Sequence, residues 1–188
     1  LKINTKETWP LLIETLGSTT FGHYAASALI EAGESVLSTL ENAFHKSGQQ
    51  DRVMLRIVQI MGRIGGNYAL QLLWRKADYP DKRIVKQILY SLRYIKYQAV
   101  GRQKREVITL LDAEIGKTTW NLAAIRELPS EPHFRYLREA LVEEVLENYD
   151  HITILLSLMY DPQSIQMIRE NIDSREPDNI AFALELMD

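Results

Sequence analysis

The chain has 188 residues, 46% of them hydrophobic and 25% charged, with a net charge of -3 and no cysteine. This length and balance describe a globular chain of one domain or one run of repeats, and the lack of cysteine removes disulfides and thiolate metal sites and fits a reducing, cytoplasmic setting. The longest uncharged run near the end, Ile152 to Tyr160, is nine residues, against the roughly 20 needed to span a bilayer. Nor does the start of this sequence read as a signal peptide, so none is expected.

Taken in order, Thr8-Trp9-Pro10 opens a first helix to about Leu16, and Thr20 to Ala32 gives its partner, with Gly17 and Gly33 as stops. Glycine fits these places because it accepts the left-handed backbone that follows a helix. Ser35 to His45 and Asp51 to Ile64 form a second pair, and Asn67 to Ala77 and Asp81 to Tyr97 a third. Asp51 and Asp81 each stand where a carboxylate caps free N–H groups at a helix start. The stretches Ala28-Leu29-Ile30-Glu31-Ala32-Gly33 and Ile60-Met61-Gly62-Arg63-Ile64-Gly65 superpose at a spacing of 32. Turn and flanking helices therefore recur together, as in arrays whose helix pairs bury their apolar faces only against their neighbours.

Beyond Gly101 the spacing changes. Lys104 to Leu128 reads as one helix of about 25 residues, roughly 37 Å long, with Val107, Leu111, Ile115, Leu122 and Ile125 on one face. Pro129 and Pro132 end it, and a second helix follows from about His133 to Tyr149 with a stripe of Phe134, Leu137, Leu141, Val145 and Tyr149. Repeats resume with Leu155 and Leu158 before Asp161-Pro162, matched 29 residues later by Leu184 and Met187, around a helix at Ser164 to Ile172. Three regions are expected: regular repeats over 1–100, a long-helix insert or irregular repeat over 101–150, and a further repeat over 151–188. Leu1 is not a methionine and the last helical pattern, Asn179 to Asp188, reaches the final residue, so a piece of a longer protein is expected.

The turn and second-helix residues Asp51-Arg52-Val53 with Arg56, and Asp81-Lys82-Arg83-Ile84 with Lys86, resemble the ladder of HEAT-like repeats. This resemblance implies an all-α solenoid of antiparallel helix pairs over about two thirds of the chain, an armadillo-like scaffold for protein binding. Asp178-Asn179-Ile180 lacks the basic residue, and the 104–149 region departs from the repeat length. More weakly, Asn148-Tyr149-Asp150-His151, Leu158-Met159-Tyr160-Asp161-Pro162 and Ala183 to Asp188 resemble the cytosolic HEAT tail of bacterial ADP/ATP-antiporter-like nucleotide transporters. That likeness implies a regulatory module tethered to a membrane domain outside this sequence.

Charge is the second signal. Residues 51–105 hold 13 Lys and Arg against 3 Asp and Glu, a net +10, whereas 106–188 hold 6 against 17, a net -11. Arg52, Arg56 and Arg63 share one helical stripe, and Lys82, Lys86 and Arg93 share its equivalent one repeat later, with Tyr90, Tyr94 and Tyr97 interleaved. Turn-proximal Arg52, Lys82 and Arg83 suit pairing with neighbouring turn carboxylates. Arg56, Arg63, Lys86 and Arg93, with Tyr90, form the candidate binding site: a concave basic strip for a protein partner or acidic segment, which a neighbouring copy's acidic half would also supply in a homo-oligomer.

No catalytic set emerges. His23, His45, His133 and His151 lack metal-ligand spacing and read as surface or capping residues. Gly116-Lys117-Thr118 has Leu111 where a phosphate loop needs glycine, Gly62, Gly65 and Gly66 follow no strand, and Glu139, Glu143, Glu144 and Glu147 read as a solvated acidic face. The expectation is a non-enzymatic scaffold without cofactor or metal. A nucleic-acid-binding HEAT-like protein, including the DNA-glycosylase kind, is the alternative, and the acidic C-terminal half argues against it.

Overall fold

In the computed structural model, residues 5–186 are described, and their regular structure is all helical, with no strand among them. The chain divides between Tyr97 and Gln98 into two compact units.

The first unit holds α1 (Trp9–Thr15), α2 (Gly22–Glu31), α3 (Leu37–Phe44), α4 (Asp51–Ile64), α5 (Gly66–Trp74) and α6 (Lys82–Tyr94). Each helix packs on its partner in a pair, and the pairs stack so that α1, α3 and α5 form one layer and α2, α4 and α6 the other. The backbone repeats as well: Gly33 and Gly65 follow α2 and α4 with φ of 65° and 68°, and Lys96 takes φ 59° after α6. Lysine there adopts a conformation that glycine adopts freely. Leu29, Met61 and Leu92 are fully buried at the matching places in α2, α4 and α6.

Some boundaries differ from the sequence reading. A short 3₁₀ turn at Gly33–Val36 precedes α3, and α5 stops at Trp74, which is half-buried against the Tyr97 ring at 5.5 Å rather than in the core. Asp81 does cap α6, accepting from the Arg83 N–H at 2.8 Å. Asp51 does not cap α4, because it already lies within the first turn.

Helix α4 touches α6 closely at one point. A Cβ on Gly62 would stand 2.6 Å from Ser91 Cβ and 3.1 Å from Ser91 Cα, so the missing side chain is what allows the approach. Between α3 and α5, the buried Lys76 ammonium pairs with Glu41, donates to the Leu72 carbonyl at 3.1 Å and lies over the Phe44 ring.

The second unit holds α7 (Arg102–Glu127), α8 (Arg135–Ser157), α9 (Pro162–Asp173) and α10 (Pro177–Glu185). Helices α7 and α8 form an antiparallel hairpin, α9 packs on α8, and α10 on α9. Helix α8 runs unbroken through residues 149–151, where the sequence reading ended one region and began another. Leu158 is fully buried. Asp161 caps α9 through the Ser164 N–H at 2.8 Å. Met187 and Asp188, assigned to the last expected helix, lie outside the described residues.

Candidate functional site

On α4 the outward positions are Arg52, Gln59 and Arg63, which fall close together on the wheel because seven residues make nearly two turns. On α6 the exposed column is Arg83, Tyr90 and Tyr94. Arg63 joins the two helices: its Nη1 donates to Tyr94 Oη at 3.0 Å and its guanidinium lies 4.5 Å from the ring centroid. Arg52, Arg63 and Arg93 have no carboxylate partner among the described residues.

The five strip residues separate in this setting. Arg63 and Tyr90 are exposed on the α4/α6 face, whereas Lys86 and Arg93 are only partly exposed. Arg56 is committed elsewhere. Its Nη1 donates to the Leu16 and Ser18 carbonyls, closing the end of α1, in a space that exists because Gly22 has no side chain. Arg83 behaves as turn-proximal ladder residues were expected to, since its guanidinium meets both Asp51 at 2.6 Å and Asp81 at 2.7 Å. These two carboxylates raise its pKa, and the same contact lowers that of Asp81.

A second polar constellation lies in the α7/α8 hairpin, where the sequence reading placed only apolar contacts and an exposed acidic face. The seam of α7 is Val107, Leu111, Glu114, Thr118, Asn121 and Ile125, while Ile115 and Leu122, read from the sequence as sharing one face with Val107, Leu111 and Ile125, are exposed. Opposite it, Asn148 and His151 are buried and Glu144 is half-buried, whereas Glu139, Glu143 and Glu147 remain exposed. His151 Nδ1 stands 3.4 Å from Glu114 Oε2, and Lys117 Nζ 2.6 Å from Glu114 Oε1. The contact with His151, then the pair with Lys117, hold the Glu114 carboxyl down to about 2 against the burial that would raise it. Both amide atoms of Asn148, the Asn121 amide nitrogen and His151 Nε2 find no hydrogen-bond partner among the described residues. The clue in the sequence was that polar Glu114 and Asn121 recur with Val107 every seven residues; the stronger apolar signal one residue later concealed it.

A cleft of about 510 Å³ opens beside α8 and α9, lined by Tyr149, Ile152, Leu156, Ile165 and Ile168. Arg169, at its edge, is neutralised by Asp150 at 2.6 Å and Asp173 at 3.5 Å, so the cleft offers apolar surface without a free positive charge.

Among the described residues no group of three or more His, Asp or Glu is placed to hold a metal ion, and no helix is long and apolar enough to cross a membrane. No protein-family model matches this chain, and neither a curated protein nor a solved structure matches it.

Proposed function

We propose that this chain is a non-catalytic helical-repeat module, HEAT-like in its first unit, whose α4/α6 face binds an acidic segment of a protein partner. The observation that carries this reading is the Arg63–Tyr94 pair, an exposed guanidinium stacked on an exposed ring beside Tyr90, with no carboxylate among the described residues to neutralise it. A guanidinium presents a planar fork of donors suited to a carboxylate, and a row of tyrosines supplies rigid area with hydroxyl groups at its edge. Arg52 and Arg93 extend the positive field along α4 and α6. Two-layer stacking and the three left-handed junctions at Gly33, Gly65 and Lys96 support the repeat reading. A cytoplasmic scaffold, regulatory in character and tethered to a membrane-transport domain elsewhere in a longer protein, is the setting the sequence resemblance suggests.

The test is fluorescence anisotropy with a labelled oligo-glutamate peptide and a labelled short duplex DNA, each titrated at several salt concentrations. Each exposed ion pair contributes only about 0.2 to 1 kcal/mol, so binding should be weak and fall steeply with salt. The peptide should bind, and the combined Arg52→Glu and Arg63→Glu variant should lose it. Absence of peptide binding overturns the reading, and stronger binding of the duplex replaces it with nucleic-acid recognition.

A further inference from the structure

Helix α8 turns a second apolar row away from the seam it shares with α7. With His151 marking that seam, Tyr149, Ile152 and Leu156 fall roughly 100 to 160° around the helix from it. On α9, Ile165, Ile168 and Ile172 recur at intervals of three and four, and the Asp150–Arg169 pair ties the two helices beside these rows. The two rows line the cleft of about 510 Å³, and Leu186, just beyond α10, lines it as well. Residues from three successive elements of the second unit thus converge on one concavity. Its volume lies within the roughly 300 to 1,000 Å³ that suits a small molecule, and its apolar lining with a few polar groups is the composition such sites have.

The polar groups of the cleft favour one sign of charge. Arg169 is the only Lys or Arg among its lining residues, and it is already held by Asp150 and Asp173, with its guanidinium 5.2 Å from the Tyr149 ring centroid. Burial, and then the charge of Asp173, push the Tyr149 phenol's pKa up against the pull of Arg169, so this edge stays negative with its own cation in place. Asp161 lines the cleft eight residues earlier, roughly 12 Å away along α9. It has no cation partner among the described residues. Its Oδ2 accepts from the Ser164 N–H at 2.8 Å and the Ser164 hydroxyl at 3.0 Å, which lowers its pKa and keeps the carboxylate charged. Tyr160, 58% exposed, adjoins it and lines the same cleft. Residues 106–188 carry a net -11, a field that draws in cations and repels anions.

We propose that this cleft is a binding site for a small organic cation, an ammonium group on a compact apolar body. The body rests on Ile152, Leu156, Ile165 and Ile168, and the charge sits by Tyr160 and Asp161. An aromatic face is attractive to an organic ammonium, and the adjoining carboxylate supplies the counter-charge. Farther along α9 the chain holds a cation of its own by the same means, the Arg169 guanidinium over Tyr149 beside Asp173.

The test is a titration of the full chain, with isotope-labelled isoleucine methyl groups followed by NMR, using three probes that share one apolar body: hexyltrimethylammonium, hexanol and hexanoate. The methyl signals of Ile152, Ile165 and Ile168 should move with the ammonium, which should bind about fivefold or more tightly than hexanol, while hexanoate leaves them in place. The combined Asp161→Asn and Asp173→Asn variant should bind the ammonium and hexanol alike. Asparagine caps a helix about as well as aspartate, so the helical circular dichroism should not change, and hexanol binding serves as the internal control for an intact cleft. Cleft methyls unmoved by the ammonium at concentrations on the order of 10 mM, equal affinity for the ammonium and hexanol in the unaltered chain, or a preference for the ammonium that survives both substitutions would each overturn the proposal. A leucine–lysine amphipathic peptide that moves these methyls where the ammonium does not would overturn it in favour of a docked helix.

Discussion

Arg83 donates to Asp51 at 2.6 Å across 32 residues of sequence, fastening the start of α6 to the start of α4. Arg83 also holds Asp81, the residue that caps its own helix. One guanidinium therefore holds the carboxylates at the starts of both helices, although both it and Asp51 are well exposed to water.

These two carboxylates should respond differently to removal. Asp81→Ala removes a helix cap and should cost about 1 kcal/mol. Asp51→Ala removes only a solvent-screened ion pair and should not shift the transition measurably. Urea denaturation of the two variants side by side makes the comparison; equal losses would show that the pair between repeats matters as much as the cap.

The Glu41–Lys76 pair should be asymmetric. Lys76 is almost fully buried while Glu41 keeps some exposure, so Glu41→Ala leaves a buried ammonium with one carbonyl, at a cost of about 3 kcal/mol. Lys76→Met removes the charge and keeps the stem against Phe44, and should cost well under half of that. Thermal unfolding of both variants, with the double variant to close the cycle, measures the difference.

Gly62 should tolerate no side chain. A Cβ there meets Ser91 side-chain and backbone atoms, so Gly62→Val should cost at least about 2 kcal/mol through overpacking between α4 and α6. Gly116→Ala, where nothing lies within 4 Å, should instead stabilise the isolated chain by up to about 1 kcal/mol. Unfolding at low protein concentration isolates this effect from any assembly.

Acid should weaken the hairpin through Glu114. Its carboxyl titrates near 2 in the folded chain, below the ordinary 4.5. The contribution is therefore complete above about 4.5 and is lost as pH falls toward 2. Glu114→Gln should flatten that part of the profile of stability against pH. The same seam predicts that Asn148→Leu raises stability by about 1 kcal/mol, since neither amide atom has a hydrogen-bond partner among the described residues to lose. Urea midpoints measured from pH 2 to 7 check both.

The helix breaks, the paired order of α1 to α6 and the matching places of Leu29 and Met61 were legible in the sequence. They depend on local rules: glycine at a left-handed junction, a carboxylate or proline at a helix start, and apolar residues returning every three or four positions. A third junction was harder to read because Lys96, an exposed residue, stands where Gly33 and Gly65 stand before it. Side-chain destinations were also beyond reach. Arg56 and Arg63 share one helical stripe, yet the carbonyls at Leu16 and Ser18 claim the first while the second stays on the surface. Nothing local distinguishes them, because the deciding atoms lie about 40 residues away.

In α7 two stripes, one apolar through Ile108, Ile115 and Leu122 and one mixed through Val107, Glu114 and Asn121, differ by a single residue of rotation. The sequence by itself determined that α7 is a long amphipathic helix. Only the tertiary structure decided which stripe faces α8, because a helix of 3.6 residues per turn presents both at 3-4 spacing and the choice between them rests on a partner that local periodicity does not describe. That choice buried His151 beside Glu114 and left Leu122 facing water.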